Sequence, residues 1–328
     1  MPTLREKQNN MQTVLVAGGA GFIGSHLCKS LLSKDYKVIC VDNLITSTEA
    51  NIKELETNPK FTFLNLNVIN PLPENLSADF VFHLASPASP NHHSKLSYHS
   101  LPLETMLVNT TGTFELLKFA ERNHARFLFA STSEAYGDPL EHPQKEEYRG
   151  NVSTTGPRSV YDEAKRFGET IAAYFHRSRG VDARIARIFN TYGPGMMKDD
   201  MRMIILFINQ ALEEKSITIF GDGEQTRSLC FLDDTVRGLM QLMFVDNLGG
   251  EIVNIGSSNE ATVLDYAKLV KKLTNSSSEI IFSEELPKDD PLKRRPDISK
   301  AKRLLDWEPK IGIEEGLTKT IQYFKNLV

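Results

Sequence analysis

The sequence predicts an α/β fold: a doubly wound parallel sheet followed by a smaller α/β region toward the C-terminus. Three observations lead there. Short apolar, β-branched runs alternate with helix-patterned stretches through the first half of the chain. A glycine-rich turn, Gly18-Gly-Ala-Gly-Phe-Ile-Gly24, joins the first of these runs directly to a helix pattern. An acidic residue, Asp42, closes the second run.

Taken in order, residues 1–11 read as a disordered lead-in. Thr13–Ala17 is a short apolar run that reads as a buried strand. The glycine turn and a helix pattern from Ser25 to Leu32 follow. Gly18 makes the tight turn, Gly21 lets backbone amides approach a pyrophosphate, and Gly24 lets the helix pack on the sheet. The helix N-terminus presents the positive end of its dipole to the phosphates. Lys37–Val41 is the second strand. The Asp42 carboxylate that ends it is placed to accept hydrogen bonds from ribose hydroxyls and to repel a 2′-phosphate. No Lys or Arg follows closely, so the pattern selects NAD over NADP. Strand patterns continue at Phe61–Leu66, Phe80–Leu84 and Arg126–Ser131, with a helix from Glu104 to Asn123. The whole is a Rossmann-type arrangement, and the crevice rule places chemistry at the strand ends Ala85–Ser89 and Ser131–Glu134.

Gly156 and Pro157 break the chain before an apolar helical run, so a helix starts near Ser159. Four residues apart on it, Tyr161 and Lys165 share a face. A phenol gives up its proton near pH 10, and a fixed ammonium or a cationic cofactor favours the phenolate. Tyr161 then becomes a base for a substrate hydroxyl. The small hydroxyls of Ser131-Thr-Ser133 can hydrogen-bond the same oxygen, and Glu134 is a second acid/base candidate or a helix-capping carboxylate.

After Asn190, Tyr192-Gly-Pro-Gly195 marks a boundary. Beyond it come a helix (Met203–Glu214), Ile217–Phe220, a Gly221-Asp-Gly223 turn, a strand at Val253–Gly256 and a helix at Leu264–Leu273. A charged loop, Asp289–Asp297, precedes two helices (Ser299–Leu305 and Ile313–Asn326) that flank Trp307. The expected division is a dinucleotide-binding domain over 12–188, with 225–256 returning to it, and a substrate domain over 189–328. Basic residues in loops facing the crevice suit an anionic substrate.

Composition sets the outer limits. With 328 residues, 40% hydrophobic and 24% charged, the chain is an ordinary globular protein of one large or two closely packed domains. Its net charge of -4 argues against a nucleic-acid surface, and no membrane partner is indicated. Cys28, Cys40 and Cys230 are odd in number and far apart, which suits reduced core residues in a cytoplasmic protein. There is no apolar signal core and no run long enough to span a bilayer. The Asn91-His-His…His99 stretch fits no metal-ligand spacing and reads as a solvated loop; no metal is expected.

Together, the glycine motif, Ser131-Thr-Ser-Glu-Ala-Tyr-Gly137 and the Tyr161/Lys165 pair resemble the extended short-chain dehydrogenase/reductases that act on nucleotide sugars. The resemblance is closer to the UDP-glucuronate decarboxylases. It is carried by His83-Leu-Ala-Ser-Pro-Ala-Ser-Pro90, Gly137-Asp-Pro139, Gly156-Pro-Arg158, Tyr161-Asp-Glu163 and Arg187-Ile-Phe-Asn-Thr-Tyr-Gly-Pro194. Gly221-Asp-Gly223, Gln225-Thr-Arg227, Arg294-Arg-Pro-Asp297 and Trp307-Glu-Pro309 extend it to the C-terminal region. It implies bound NAD and a three-step reaction. Tyr161, assisted by Lys165 and Thr132, deprotonates the sugar 4-hydroxyl as C4 is oxidised; the resulting β-keto acid loses carbon dioxide; C5 is protonated and C4 reduced. Ser133 and Glu134 match the pair linked to the decarboxylation and protonation steps, and Arg294 matches an arginine near the sugar carboxylate.

The resemblance further implies cofactor contacts at Phe22, Ile23, Asn43, Asn67, Val68, Leu84 and Ser86. It implies substrate contacts at Pro87, Ser89, Asn109, Arg158, Asn190, Arg202, Gln225, Arg227 and Arg294, and a homodimer formed through the helices around 104–123 and 161–177. A 4,6-dehydratase carries Asp-Glu where this chain has Ser133-Glu134, and a 4-epimerase usually lacks this Glu and Arg. A non-catalytic NAD sensor typically loses the Tyr or Lys. This chain departs from the decarboxylase pattern at Gly195 (usually Arg), Asn67 (usually Asp) and Leu107 (usually Lys). It departs also in a longer loop over 91–100, and in lacking the glycine and basic residue that usually follow the Thr of Asp42-Asn-Leu-Ile-Thr-Ser.

Overall fold

A computed structural model describes residues 11–286 and 291–327. Residues 1–10 of the lead-in expected over 1–11, and Asp289 and Asp290 of the charged loop, lie outside the described residues. In chain order the first half runs β1 (Thr13–Ala17), α1 (Phe22–Ser33), β2 (Lys37–Asp42), β3 (Phe61–Asn65), β4 (Phe80–His83), α2 (Pro102–Leu107), α3 (Thr113–Asn123), β5 (Arg126–Thr132), α4 (Ser159–Arg179) and β6 (Ala183–Ile188). The second half runs β7 (Thr191–Tyr192), α5 (Met203–Leu212), β8 (Ile217–Phe220), β9 (Thr226–Ser228), β10 (Cys230–Phe231), α6 (Leu232–Phe244), β11 (Ile252–Ile255), β12 (Glu260–Thr262), α7 (Val263–Thr274), β13 (Ile280–Glu284), α8 (Ser299–Leu305) and α9 (Ile313–Lys325).

Seven parallel strands form one sheet in the order β11-β6-β5-β4-β1-β2-β3. Because side chains alternate across a strand, β1 feeds two cores. Val14 and Val16 join α1, α6 and α8 on one face; Leu15 and Ala17 join α3 and α4 on the other. Both faces are covered, which is why these strands read as continuous apolar runs rather than alternating ones. A third core, built from α5, α7, α9 and β8, supports a smaller lobe beyond β6. Residues 252–255 return to the large sheet beside β6. Trp307, 0% exposed, donates its indole N–H to Asp234 O at 3.0 Å and ties the C-terminal segment to α6.

The helix expected over 104–123 is not continuous. A π turn at Val108–Gly112 separates α2 from α3. Its cause is a side chain inserted from the sheet: His83 Nε2 lies 3.2 Å from Val108 O and 3.1 Å from Thr113 Oγ1, drawing the ladder open. Helix α6 was not foreseen, since Gly238 and the Asp233-Asp234-Thr235 run weaken its local preference. Among the described residues, no helix is long and apolar enough to cross a membrane.

Candidate active site

A cleft of ≈ 670 Å³ opens at the C-terminal ends of the strands and continues into the smaller lobe. Its floor starts at the glycine turn. Gly18 has φ +80, and a Cβ on Gly24 would lie 2.0 Å from Gly18 O, so both positions require glycine. Helix α1 begins at Gly21 with no side-chain cap and no acidic residue in its first turn. Its leading amides and dipole end are left for an anion at the cleft floor. Asp42 is held rigidly: its carboxylate accepts from Ala20 N at 3.0 Å, Leu44 N at 2.9 Å and Ser47 Oγ at 2.8 Å. An uncapped helix start beside a fixed carboxylate fits the pyrophosphate and adenosine ribose of NAD.

Tyr161 and Lys165 lie on the first turns of α4, both almost fully buried and both in the cleft wall with Thr132. Lys165 Nζ donates to Ala130 O at 2.8 Å and sits 5.0 Å above the Phe129 ring and 5.8 Å from the Tyr161 ring centroid. Burial pushes the Lys165 ammonium down to about 7, against the pull of Glu169. Burial likewise pushes the Tyr161 phenol well above its usual range, opposed by a hydrogen bond with Thr132. The expected lowering of the phenol by Lys165 is therefore not achieved by the protein alone.

Tyr98 stacks on Tyr161, with ring centroids 4.9 Å apart and planes at 8°. It is 0% exposed and its hydroxyl has no hydrogen-bond partner among the described residues. Beside the pair stands a charged cage. Glu134 receives Arg158 Nη2 at 2.5 Å on one carboxylate oxygen and Arg294 Nη1 on the other. Burial would raise this carboxyl, but the two guanidiniums together outweigh it and hold the group well below the usual carboxylate range. Arg294 is fixed in turn: Ser228 Oγ donates to its carbonyl at 3.0 Å, and buried Gln144 pairs with the backbone of Arg295. Asp162, 5% exposed, lies with Oδ2 4.0 Å from Arg158 Nε, and its Oδ1 has no partner. Burial first, and Glu134 second, push this carboxyl up to about 8.

Of the residues expected at the site, Gly18, Gly21, Phe22, Ile23, Gly24, Leu84, Ser86, Ser89, Thr132, Ser133, Glu134, Arg158, Tyr161, Lys165, Asn190, Arg202, Gln225, Arg227 and Arg294 come together in the cleft wall. Others do not. Asn109 is 0% exposed and sits behind Ser86, donating to its Oγ at 2.9 Å rather than facing the cleft. Val68 packs in the core, Asn67 accepts from Ile69 N at 3.2 Å, Asn43 is exposed, and Pro87 is buried outside the wall. Ser89 and Arg202 are in the wall but engaged, Ser89 Oγ with Asp200 O at 2.9 Å and Arg202 with the Asp200 carboxylate at 2.7 and 2.5 Å.

The 91–100 stretch is not the solvated loop expected. Ser94, Ser97 and Tyr98 are buried, and His92, Leu96 and His99 line the cleft. Asn91 Nδ2 donates to Met201 O at 2.8 Å and Ser94 Oγ to Asp199 O at 3.0 Å, latching the loop to the segment after Gly195. Among the described residues, no cluster of His, Cys, Asp and Glu is arranged to hold a metal. Tyr98 and Asp162 were missed as site residues. Tyr98 lies in a stretch without periodicity, whereas the four-residue spacing of Arg158 and Asp162 on a helix was a usable signal.

Comparison with known proteins agrees with this geometry. The NAD dependent epimerase/dehydratase family matches residues 14–256. UDP-glucuronic acid decarboxylase 1 of Arabidopsis thaliana is 47% identical over 315 residues, covering 96% of this chain and 70% of that protein. UDP-glucuronic acid decarboxylase 1 of Xenopus tropicalis is 44% identical over 318 residues, covering 97% and 73%. Among solved structures, UDP-glucuronic acid 4-epimerase from Bacillus cereus, in complex with UDP-glucuronic acid and NAD, superposes with a TM-score of 0.84 at 32% identity, covering 96% of this chain and all of that one. With its glycine turn, Tyr161/Lys165 pair and relatives of this identity and coverage, the chain belongs to the NAD dependent epimerase/dehydratase family, with UDP-glucuronic acid decarboxylases among its near relatives.

Proposed function

We propose that this protein converts UDP-glucuronate to UDP-xylose, retaining NAD between turnovers. The observation that carries the reading is the cage of Arg158, Arg294 and Glu134 standing beside Tyr161 in one cleft. Two guanidiniums suit a sugar carboxylate, and in its absence Glu134 occupies them. Gln225, buried in the wall with its Oε1 unpartnered, suits an N–H of a pyrimidine base, and Arg227 beside it suits a phosphate.

NAD, held by the glycine turn and Asp42, would supply a hydride acceptor for sugar C4 and a hydride donor for the later ketone. Tyr161 takes the 4-hydroxyl proton, with Thr132 hydrogen-bonded to it and Lys165 holding positive charge nearby. The 4-ketone accepts the electron pair of the C5–C6 bond as carbon dioxide leaves. Arg158 and Arg294 orient the carboxylate across the ring, and Glu134, released from them by the substrate, moves a proton to C5. Tyr161 then returns its proton to the C4 oxygen. The low ionised range of Glu134 in the empty cage rises once its arginines turn to the substrate, which fits it for proton transfer.

We further propose a cytoplasmic homodimer. The buried, free cysteines suit a reducing compartment. Leu103, Leu107, Phe114, Phe167 and Tyr174 are exposed large apolar groups on α2, α3 and α4, a surface that suits a second copy of the chain.

The test is incubation with UDP-glucuronate and NAD, followed by mass. Loss of one carbon dioxide, abolished by Tyr161→Phe, is the expected result. An unchanged mass with altered retention would assign epimerisation instead, the activity in the name of the Bacillus cereus structure.

A further inference from the structure

The proposed reaction leaves one buried acid of the site unused. Asp162 follows Tyr161 on α4, is 5% exposed, and does not line the cleft. Its Oδ2 lies 4.0 Å from Arg158 Nε, while Oδ1 is buried with no hydrogen-bond partner among the described residues. An ionised oxygen in that position is costly, and a proton placed there removes the cost. The groups around it come from several elements. Glu163 is on its own helix and Arg158 immediately precedes it, Glu134 is on the turn after β5, and Arg294 is on the segment before α8. Tyr98, on the 89–100 loop, faces it with a neutral phenol held far above its usual range by burial.

The charge count of this cage is decisive. Arg158 and Arg294 contribute two positive charges, and ionised Glu134 and Asp162 contribute two negative ones. These four charges balance one another when all are ionised. A uronate carboxylate entering the cage adds one negative charge to a buried place, and one proton restores the balance. Decarboxylation needs that same quantity. The C5–C6 bond breaks, its electron pair passes into the C4 ketone as an enolate, carbon dioxide departs, and C5 forms a bond to one proton. Each turnover therefore takes up one proton overall.

We propose that Asp162 is the proton store of the arginine cage: it carries one proton while a uronate carboxylate occupies the cleft, and that proton, delivered by way of Glu134, is the one C5 receives. Asp162 is a positioning and supply residue rather than one that touches the sugar. The inference rests on the functional reading given above and deepens it.

The test uses NAD-loaded Tyr161→Phe protein, which binds without turning over, titrated calorimetrically with UDP-glucuronate in buffers of different protonation enthalpy. The Asp162 carboxyl is pushed up to about 8, so it holds its proton below that value and is ionised above it. Binding at about pH 9 is expected to take up close to one proton per site, and binding at about pH 6.5 close to none. Affinity then falls by up to about tenfold per pH unit above about 8. Adding Asp162→Asn, a permanently neutral mimic, should abolish the uptake and flatten that alkaline decline, whereas Arg303→Gln, exposed on α8, should leave both in place. With Tyr161 intact, Asp162→Asn should keep KM and lower kcat at least about tenfold. Binding without uptake at about pH 9, or uptake that survives Asp162→Asn, overturns the store while sparing the functional reading. Failure of UDP-glucuronate to bind at all sinks that reading and the store with it.

Discussion

Glu134 exerts its control through the arginines it occupies. Held by Arg158 at 2.5 Å and by Arg294, it occupies the two groups that would attract a sugar carboxylate. Glu134→Gln removes a charge but keeps the shape, so two guanidiniums face the substrate with less competition. The expected outcome is a split: kcat falls by about 10²-fold or more, the scale of a lost acid/base group, while KM for UDP-glucuronate stays level or decreases. Steady-state kinetics decide it, and an increase in KM with kcat preserved would show that Glu134 positions the substrate instead. Much of this residue-scale picture was legible beforehand. The glycines, Asp42, Tyr161, Lys165, Glu134 and Arg294 are marked by local pattern or resemblance, because each is fixed by a short stretch of chain. Tyr98 was not, because its stacking joins a loop to a helix distant in sequence, whereas Asp162 carried a local signal in its four-residue spacing from Arg158. Helix spacing likewise puts Lys165 on the face of Tyr161 without showing that its ammonium bonds to Ala130 O.

At the scale of elements, β1 and the start of α4 fall where the sequence pattern puts them, since an apolar run and a Gly-Pro break are local signals. The π turn between α2 and α3 arises from His83 on another element and leaves no periodic trace. The same is true of the latch between the 89–100 loop and the segment after Gly195. Gly195, at φ +89, faces His26 and Phe22 on α1, and Arg202 lies 6.0 Å over the Phe22 ring. The segment therefore crosses the start of α1, where the phosphates of NAD are expected. Ser94 Oγ to Asp199 O is a latch bond made outside the cleft wall. One such bond contributes about 1 kcal/mol net, so Ser94→Ala is expected to speed NAD release by roughly fivefold. Stopped-flow displacement of bound NAD measures this, and an unchanged release rate would place the segment off the cofactor's path.

For the molecule as a whole, the large sheet supplies the cofactor floor and segments beyond β6 supply Gln225, Arg227 and Arg294, so the cleft is built from both parts of the chain. Helix α4 runs through this junction, carrying Tyr161, Asp162 and Lys165 at one end and apolar Phe167 and Tyr174 on its outer face. Phe167 is 55% exposed and Phe114, on the neighbouring α3, 44%, so water contacts rings that a second copy of the chain would cover. Covering them would also hold α4 along the length that sets the position of Tyr161. Phe114→Glu combined with Phe167→Glu places charges on the same face in both copies, where like charges repel across a two-fold interface. Sedimentation is expected to show a dimer for the native chain and a monomer for the double variant, with turnover falling alongside because α4 loses its outer support. A double variant that remains dimeric would move the interface elsewhere, and a monomer of full activity would show that α4 is held well enough by the sheet and α3 alone.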